Sequence, residues 1–265
     1  MQQELLLQEV ARIRGKMKRL GARKLRMIMK PFMADHHIDI GRDKFFDLLR
    51  ENSLLIRKRK RSKPVTTFSQ HWLHKYPNLI IDFIPTCANQ LWVGDITYIR
   101  IGDSFGYLSL ITDGYSRKIL GFYLSVDLSA KGCIAALKMA MENNPEINSL
   151  THHSDRGVQY CSADYVGLLQ KNNIAISMTQ SGDPLENALA ERVNGILKDE
   201  LLEEIYSDFD QARQAVAVAI STYNYYRPHS SIDMLTPVKA HLKSGELIKH
   251  WKSYYVTQRK EVAMM

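Results

Sequence analysis

The chain has 265 residues, of which 45% are apolar and 24% charged, as in ordinary globular proteins. Its apolar runs are shorter than the roughly 20 residues needed to cross a bilayer, and its acidic N-terminus differs from a signal peptide, so we expect neither. The three cysteines, Cys87, Cys133 and Cys161, are isolated and odd in number, which indicates the reducing cytoplasm and argues against a disulfide framework.

The charge is distributed unevenly along the chain. The net charge is +8, but residues 1–70 carry 18 Lys/Arg and 7 Asp/Glu, so the remainder is slightly acidic. A strongly basic first quarter favours a polyanionic partner, with nucleic acid as the leading candidate. The alternative is a solvated basic surface without a specific partner.

Helical periodicity in this basic part predicts three helices, over Glu4–Arg19, Ala22–Met33 and Arg42–Asn52. Short helices joined by a tight connection are typical of a helix-turn-helix that binds DNA, although small helical bundles without a DNA role share the pattern. The run Arg57–Lys63 follows, with six cations in seven residues. We expect it to lie along phosphates, or to be a disordered linker, or both. The predicted DNA contacts in this run are Arg57, Lys58, Arg59, Lys60 and Arg61.

From Asn89 onward the pattern changes to alternating strands and helices. We predict a tight hairpin turn at Asp113-Gly114. Three consecutive strands followed by helical crossovers indicate an α/β fold, a mixed five-stranded sheet with helices on both faces. Strands are predicted over 91–101, 106–112, 118–126, 147–153 and 174–178, and helices over 129–143, 162–172, 184–204 and 208–226.

Two aspartates occupy positions where a carboxylate needs a function. Asp95 lies in the middle of an apolar strand, where burial is costly unless the charge is paired or binds a metal. Asp155 follows the fourth strand, and Gly157 is expected to let that turn adopt a left-handed conformation. If the first and fourth strands are neighbours, the two acids meet at one edge of the sheet.

A third acid, Glu191, lies on the predicted long helix. Asp183 is a suitable N-cap for this helix, and Glu186 is better placed to close a capping box than to bind a ligand. Converging carboxylates repel one another unless cations intervene, and oxygen ligands select Mg²⁺ or Mn²⁺. Two such ions about 4 Å apart can activate a hydroxyl group and stabilise the leaving oxygen at phosphorus. The residues expected on the face of Glu191 are Asn187, Asn194, Gly195 and Lys198.

Five segments together carry a resemblance to a known family: NQLWVGDITYI (89–99), YLSLITDGYSRKILGF (107–122), HSDRGVQY (153–160), ENALAERVNGILKDEL (186–201) and YNYYRPHSSIDMLTP (223–237). The chain resembles the second-frame product of the IS three family of bacterial insertion sequences, within the integrase/transposase superfamily. The spacing from Asp155 to Glu191 matches the family's DD(35)E triad. Gly94 and Glu186 stand where the family often has Thr and Asp.

The resemblance implies a ribonuclease H-like catalytic core and a transposase that cleaves and joins DNA strands. It implies that Asp95, Asp155 and Glu191 are the catalytic metal ligands for two Mg²⁺ or Mn²⁺ ions, and that Lys198 contacts DNA near the scissile phosphate, with Asn187 as a further candidate. It also implies double-stranded DNA partners (terminal inverted repeats and target), a homo-oligomer on DNA, a possible upstream-frame partner, and nucleoid association in a bacterium.

These inferences divide the chain into four regions. Residues 1–62 form the helix-turn-helix region with the basic run, 63–88 a linker, 89–240 the integrase catalytic core and 241–265 a C-terminal tail. Two rival hypotheses are a catalytically inactive or partial DNA-binding product that regulates transposition, and a ribonuclease acting on RNA–DNA hybrids.

Four lesser candidates have structural interpretations. Asp113 is expected to make turn hydrogen bonds, and His152 and His153 to pack at a strand end. His71 and His74 lack the second ligand pair that zinc requires. The cluster around Tyr223 suits either base stacking or core packing. It comprises Tyr223, Tyr225, Tyr226, Arg227 and His229.

Overall fold

The computed structural model describes residues 2–57, 59, 71–180 and 187–250. Its strands are β1 (Leu91–Ile101), β2 (Ser104–Asp113), β3 (Ile119–Ser125), β4 (Thr151–Ser154) and β5 (Ala175–Met178). Its helices are α1 (Gln2–Lys16), α2 (Ala22–Ile28), α3 (Lys30–Asp35), α4 (Arg42–Glu51), α5 (Ala130–Glu142), α6 (Val158–Cys161), α7 (Ala163–Lys171), α8 (Ala188–Ile196), α9 (Phe209–Tyr225) and α10 (Pro237–His241). A π-helical segment, Leu197–Leu201, continues α8.

The first four helices form a small all-α unit with its own apolar core. The helix predicted over residues 22–33 is two helices, because α2 ends at Ile28 and α3 begins at Lys30. Pro31 lies in the first turn of α3, and without an amide hydrogen it cannot bond to the carbonyl of Met27. The continuous helix was therefore a wrong prediction, whereas α1 and α4 lie close to their predicted limits.

The five strands form one mixed sheet in the order β3-β2-β1-β4-β5. The pairs β1–β2 and β2–β3 are antiparallel, and β1–β4 and β4–β5 are parallel. One apolar cluster lies between the sheet and α8 and α9, and another lies between the sheet and α5 and α7. This arrangement confirms the predicted α/β fold with helices on both faces.

Several boundaries differ from the predictions for physical reasons. β4 begins at Thr151 rather than 147, because its partner β1 begins only at Leu91, which pairs with Thr151. Residues 114–118 connect β2 to β3, so the predicted tight turn at Asp113-Gly114 is a wider loop closed by the Asp113 carboxylate, which accepts from the Ser116 amide at 2.7 Å. The long predicted helix ends at Ile196 and widens into the π-helical segment. The short helices α6 and α10 were not predicted.

The segment before β1 follows the edge of the sheet. The Met178 amide donates to the Pro77 carbonyl at 3.2 Å, and the Leu79 amide donates to Ser177 Oγ at 2.9 Å. These bonds pair β5 with residues from the region predicted to be a linker. The boundaries proposed at 62, 88 and 240 stay predictions. Within the described residues, no helix has both the length and the apolar character that a bilayer crossing requires.

We expect Gly121→Ala to destabilise the protein by about 1–3 kcal/mol or more, because a Cβ atom at this position in β3 would collide with the backbone of α5. The obstructing atoms are the carbonyl oxygen of Ala136 and the amide nitrogen of Ala140, neither of which can move without shifting the helix. Urea unfolding of the variant and the wild type measures the difference.

The matched control is Gly167→Ala in α7, where an added Cβ atom meets nothing within 4 Å. Removing a helix-interior glycine should stabilise the protein by about 0.5–1 kcal/mol. Equal unfolding midpoints for the two variants would contradict the close approach of β3 to α5.

Candidate active site

The first two acids of the predicted triad lie side by side. The parallel pairing of β1 with β4 sets Val93 opposite His153. Two residues farther along, on the same face of the sheet, are Asp95 in β1 and Asp155 just after β4. Burial raises the pKa of Asp95 to about 7, and the negative charges of Asp155 and then Glu191 add to this effect. Burial and the two neighbouring charges thus outweigh the hydrogen bonds from Ile96 and Asn194, which lower the pKa of this carboxyl group.

Two hydrogen bonds fix the Asp95 carboxyl group. The backbone amide of Ile96 donates to Oδ1 at 2.9 Å, and the Asn194 side chain donates from Nδ2 to Oδ2 at 2.6 Å. Asn194 is buried in α8, three residues after Glu191. The sequence placed Asn194 on the same helix face as Glu191 but gave it no role; that shared face was the available signal.

Asp155 is held by the turn that follows β4. Its Oδ1 accepts a hydrogen bond from the Gly157 amide at 2.9 Å. Gly157 has φ −62° and is the N-cap of α6, so the predicted left-handed conformation was wrong. An added Cβ atom would lie 3.0 Å from Asp155 Oδ1 and 3.1 Å from Gln159 Oε1. The glycine therefore serves the close approach of the carboxylate to the backbone.

Buried, uncharged side chains lie on the other side of β1 from Asp95. His152 is buried and bonds through Nε2 to the Tyr165 hydroxyl at 2.9 Å, and burial lowers the pKa of its imidazole to about 3, so the ring is neutral. A Cβ atom on Gly94 would lie 3.0 Å from His152 Nε2 and 3.2 Å from Tyr160 Cε1. This crowding explains why glycine, rather than a larger residue, precedes Asp95.

Glu191 lies in the first turn of α8 and is exposed. Its charge contributes to the raised pKa of Asp95, so the three acids face a common region. In the part of the chain that the structure describes, no three His, Cys, Asp or Glu side chains approach closely enough to form a ready metal cluster. The donor chemistry nevertheless suits a hard divalent cation, because all three groups offer carboxylate oxygens whose mutual repulsion such a cation relieves.

Comparison with known proteins decides the family. The integrase core domain matches residues 85–184 and again 172–237. The uncharacterized 31 kDa protein of insertion element IS600 from Shigella sonnei is 34% identical over 77% of this chain and 76% of its own length. The transposase InsF for insertion sequence IS3A from Escherichia coli is 32% identical over 71% of this chain and 66% of its own length. The chain belongs to the IS three family of insertion-sequence transposases.

The fold of this family member is shared with a solved assembly. A chain of the cryoEM structure of the simian T-cell lymphotropic virus intasome in complex with PP2A regulatory subunit B56 gamma superimposes with a TM-score of 0.51. It is 18% identical, and the match covers 92% of this chain and 80% of that one. The likeness supports the ribonuclease H-like integrase fold.

The predicted DNA contacts of this transposase-family chain occupy different surroundings. Lys198 lies half-buried in the π-helical segment, and Asn187 is the buried N-cap of α8. Arg57 is exposed, whereas the side chain of Arg59 is only 14% exposed and packs against the core. Lys58, Lys60 and Arg61 lie outside the described residues, as do the predicted caps Asp183 and Glu186.

The structural interpretation of Asp113 is confirmed. This buried carboxylate accepts from the Asn89 amide through Oδ2 and from the amides of Tyr115 and Ser116 through Oδ1. Asp113 thus ties the start of β1 to the loop after β2.

The histidine and aromatic candidates also have structural partners. His71 Nε2 bonds to the Arg156 carbonyl oxygen at 2.8 Å, and His153 Nδ1 bonds to Ser177 Oγ at 2.8 Å. In the cluster around Tyr223, the tyrosine itself is fully buried, whereas Tyr225 and Tyr226 are exposed. Core packing therefore accounts for Tyr223, and a stacking role remains open to the two exposed tyrosines alone.

Proposed function

We propose that this chain is the strand-cleaving and strand-joining enzyme of its insertion sequence, with Asp95, Asp155 and Glu191 as catalytic residues. The observation that carries the proposal is the proximity of Asp95, within β1, to Asp155, just after the end of the adjacent parallel strand β4. The pKa of Asp95 is raised to about 7 by burial and by the charges of the other two acids. The negative charges of these carboxylates repel one another, and a divalent cation bound between them would relieve that repulsion.

The three carboxylates would hold one or two Mg²⁺ or Mn²⁺ ions, which would supply Lewis acidity at the scissile phosphate. The chain's own residues prepare this site. Asn194 orients Asp95, and the Gly157 amide orients Asp155. The neutral ring of His152 adds no competing positive charge, and it packs closely against Gly94.

The proposed substrate is double-stranded DNA, namely the terminal inverted repeats of the element and a target. The proposed contacts are Lys198 and Asn187 beside the acids, together with Arg57, Lys58, Lys60 and Arg61 of the basic run. Arg59, predicted as a contact from the sequence, is left out of this set because its side chain is only 14% exposed. Joining two DNA ends needs at least two bound ends, so a homo-oligomer on DNA is part of the proposal, as is association with an upstream-frame product. The setting is the nucleoid in the bacterial cytoplasm.

The test is Mg²⁺-dependent nicking and strand transfer with a duplex that carries the element's terminal repeat. Glu191→Gln should reduce product formation by at least about 100-fold while DNA binding is retained, because the amide keeps the shape but loses the charge that a cation needs. Glu186→Gln is the matched control, since this neighbouring acid precedes the Asn187 N-cap of α8 in the chain and is not a proposed ligand.

Equal activity of wild type and Glu191→Gln would refute the catalytic assignment. If neither cleaves DNA but both bind the terminal repeat, the DNA-binding regulator is the better description. Preferential cleavage of an RNA–DNA hybrid would instead support the ribonuclease hypothesis.

A further inference from the structure

We infer that Arg59 is a positioning residue that fastens the end of the helix carrying Glu191 and Lys198. This inference rests on the proposed function and assigns one member of the basic run to the inside of the protein rather than to DNA. It makes the run a mechanical link between the N-terminal helices and the active site.

The contacts of Arg59 converge on the end of that helix. Its Nη1 donates to the carbonyl oxygens of Lys198 and, at 2.9 Å, Leu202. Its Nε lies 3.0 Å from Glu204 Oε1. This contact is an ion pair and not a hydrogen bond. Only 14% of the Arg59 side chain is exposed, so most of this cationic side chain is withdrawn from solvent.

These contacts provide hydrogen-bond donors for carbonyl groups at the end of the helix. The last carbonyl groups of a helix lack intrahelical partners, and cations near that end are favourable. Here α8 also widens into the π-helical segment, a rare geometry that needs support from its surroundings. Arg59 bonds to carbonyl groups on either side of the segment's end, so it fixes the turn that contains Lys198.

We call the contacts of Arg59 with Lys198, Leu202 and Glu204 the clamp. A second arginine connects this clamp to the N-terminal unit. Arg19, just beyond α1, donates from Nε to the Asp199 carbonyl oxygen at 2.9 Å and from Nη2 to the Arg57 carbonyl oxygen at 2.7 Å. Lys18 pairs with Glu203 at 2.9 Å in the same region. The N-terminal helices, the basic run and the end of the catalytic helix are thus joined by direct bonds. A shift of the run would move the Lys198 turn.

A phosphate contact and a clamp predict different kinetics. Loss of a phosphate contact raises KM and reduces the slope of log affinity against log salt by about 1. Loss of a positioning contact lowers kcat, because the reacting groups are misaligned, and leaves the salt slope unchanged.

The experiment compares Arg59→Gln with Arg57→Gln, its exposed neighbour in the same run. The assays are steady-state strand transfer on the terminal-repeat duplex, salt-dependent binding of that duplex, and hydrogen exchange of the amides in residues 198–206. Arg59→Gln should lower kcat about tenfold or more, leave KM and the salt slope near wild type, and speed exchange in 198–206. Arg57→Gln should reduce the salt slope without faster exchange. Arg59→Lys keeps a cationic donor and should recover part of kcat.

Glu204→Gln removes one partner of Arg59 without touching the basic run, and it should speed exchange in the same segment to a smaller degree. Unchanged exchange in both Arg59→Gln and Glu204→Gln would overturn the clamp. A reduced salt slope for Arg59→Gln without faster exchange would make Arg59 a phosphate contact. Hydrogen exchange does not depend on catalysis. If the wild type showed no strand transfer but Arg59→Gln still exchanged faster than the wild type, the clamp would be upheld and only the proposed function refuted.

Discussion

Replacing Arg227 by methionine should lower the free energy of unfolding by about 3 kcal/mol, because it leaves the Glu200 carboxylate, whose side chain is only 19% exposed, without its main partner. Arg227 is fully buried after α9, and its guanidinium group binds both oxygens of Glu200, with Nε at 2.8 Å and Nη2 at 2.6 Å. Lys24 of the N-terminal unit is the next cation, at 3.8 Å from the same carboxylate. A lysine at that distance does not replace a bidentate arginine.

Denaturant unfolding of the wild type and the variant measures this loss. The matched control is Arg213→Met, which removes an exposed arginine of α9 that pairs with Asp210 at 3.4 Å and should change stability by less than about 1 kcal/mol. Adding Glu200→Leu to Arg227→Met removes the orphaned charge and should restore part of the loss. A single Arg227→Met variant as stable as the control would show that the pair contributes little.

In the absence of divalent cations, the free energy of unfolding of the wild type should fall relative to that of Asp95→Asn as pH rises from about 4 to about 7. The expected fall is up to about 4 kcal/mol. The pKa of Asp95 is raised to about 7 in the folded chain by burial and by Asp155, whereas an unfolded aspartate titrates near 4. The folded state therefore holds the proton more tightly. The stabilisation by protonated Asp95 is complete below the pKa of aspartate in the unfolded chain. It is lost as pH rises through the pKa of Asp95 in the folded chain.

Unfolding curves of wild type and Asp95→Asn, recorded with a chelator between pH 4 and pH 8, give the difference directly. Asparagine cannot ionise, so the variant lacks this component, and titrating groups remote from Asp95 cancel in the comparison. The difference therefore reports Asp95 together with its interaction with Asp155 and Glu191. Addition of Mg²⁺ or Mn²⁺ at pH 8 should stabilise the wild type and have little effect on the variant, since a ligand of the native state raises stability by mass action. Parallel pH profiles for the two proteins would contradict the raised pKa.

The sequence predicted what depends on local pattern. The apolar strand around Asp95 and the position of Asp155 just after β4 follow from residue periodicity, and the structure brings the two acids together on the adjacent strands β1 and β4. The mixed character of the sheet and its two-sided cover of helices also followed from the order of elements, whereas the strand order β3-β2-β1-β4-β5 was not predicted.

The sequence did not predict the bonds that cross between distant elements. Asn194 reaches Asp95 across 99 positions, and Arg59 reaches the Leu202 carbonyl across 143. The role of Gly157 was wrong because a glycine that permits close approach and one that permits a positive φ look alike in a sequence. Tertiary packing decides such cases, since one residue type satisfies several local requirements equally well.

The pairing of β1 with β2 and β4 bears on the order in which the chain folds. β1 and β2 share ten consecutive residue pairs across a two-residue connection at Gly102, whose φ of +54° suits a tight turn. A hairpin with such local contacts forms early, whereas a parallel strand some 50 residues farther along requires a large loop to close first. Asp95 is thus held in regular structure well before Asp155 joins it. In a growing polypeptide the proposed catalytic site would therefore stay incomplete until synthesis and folding had passed well beyond β4.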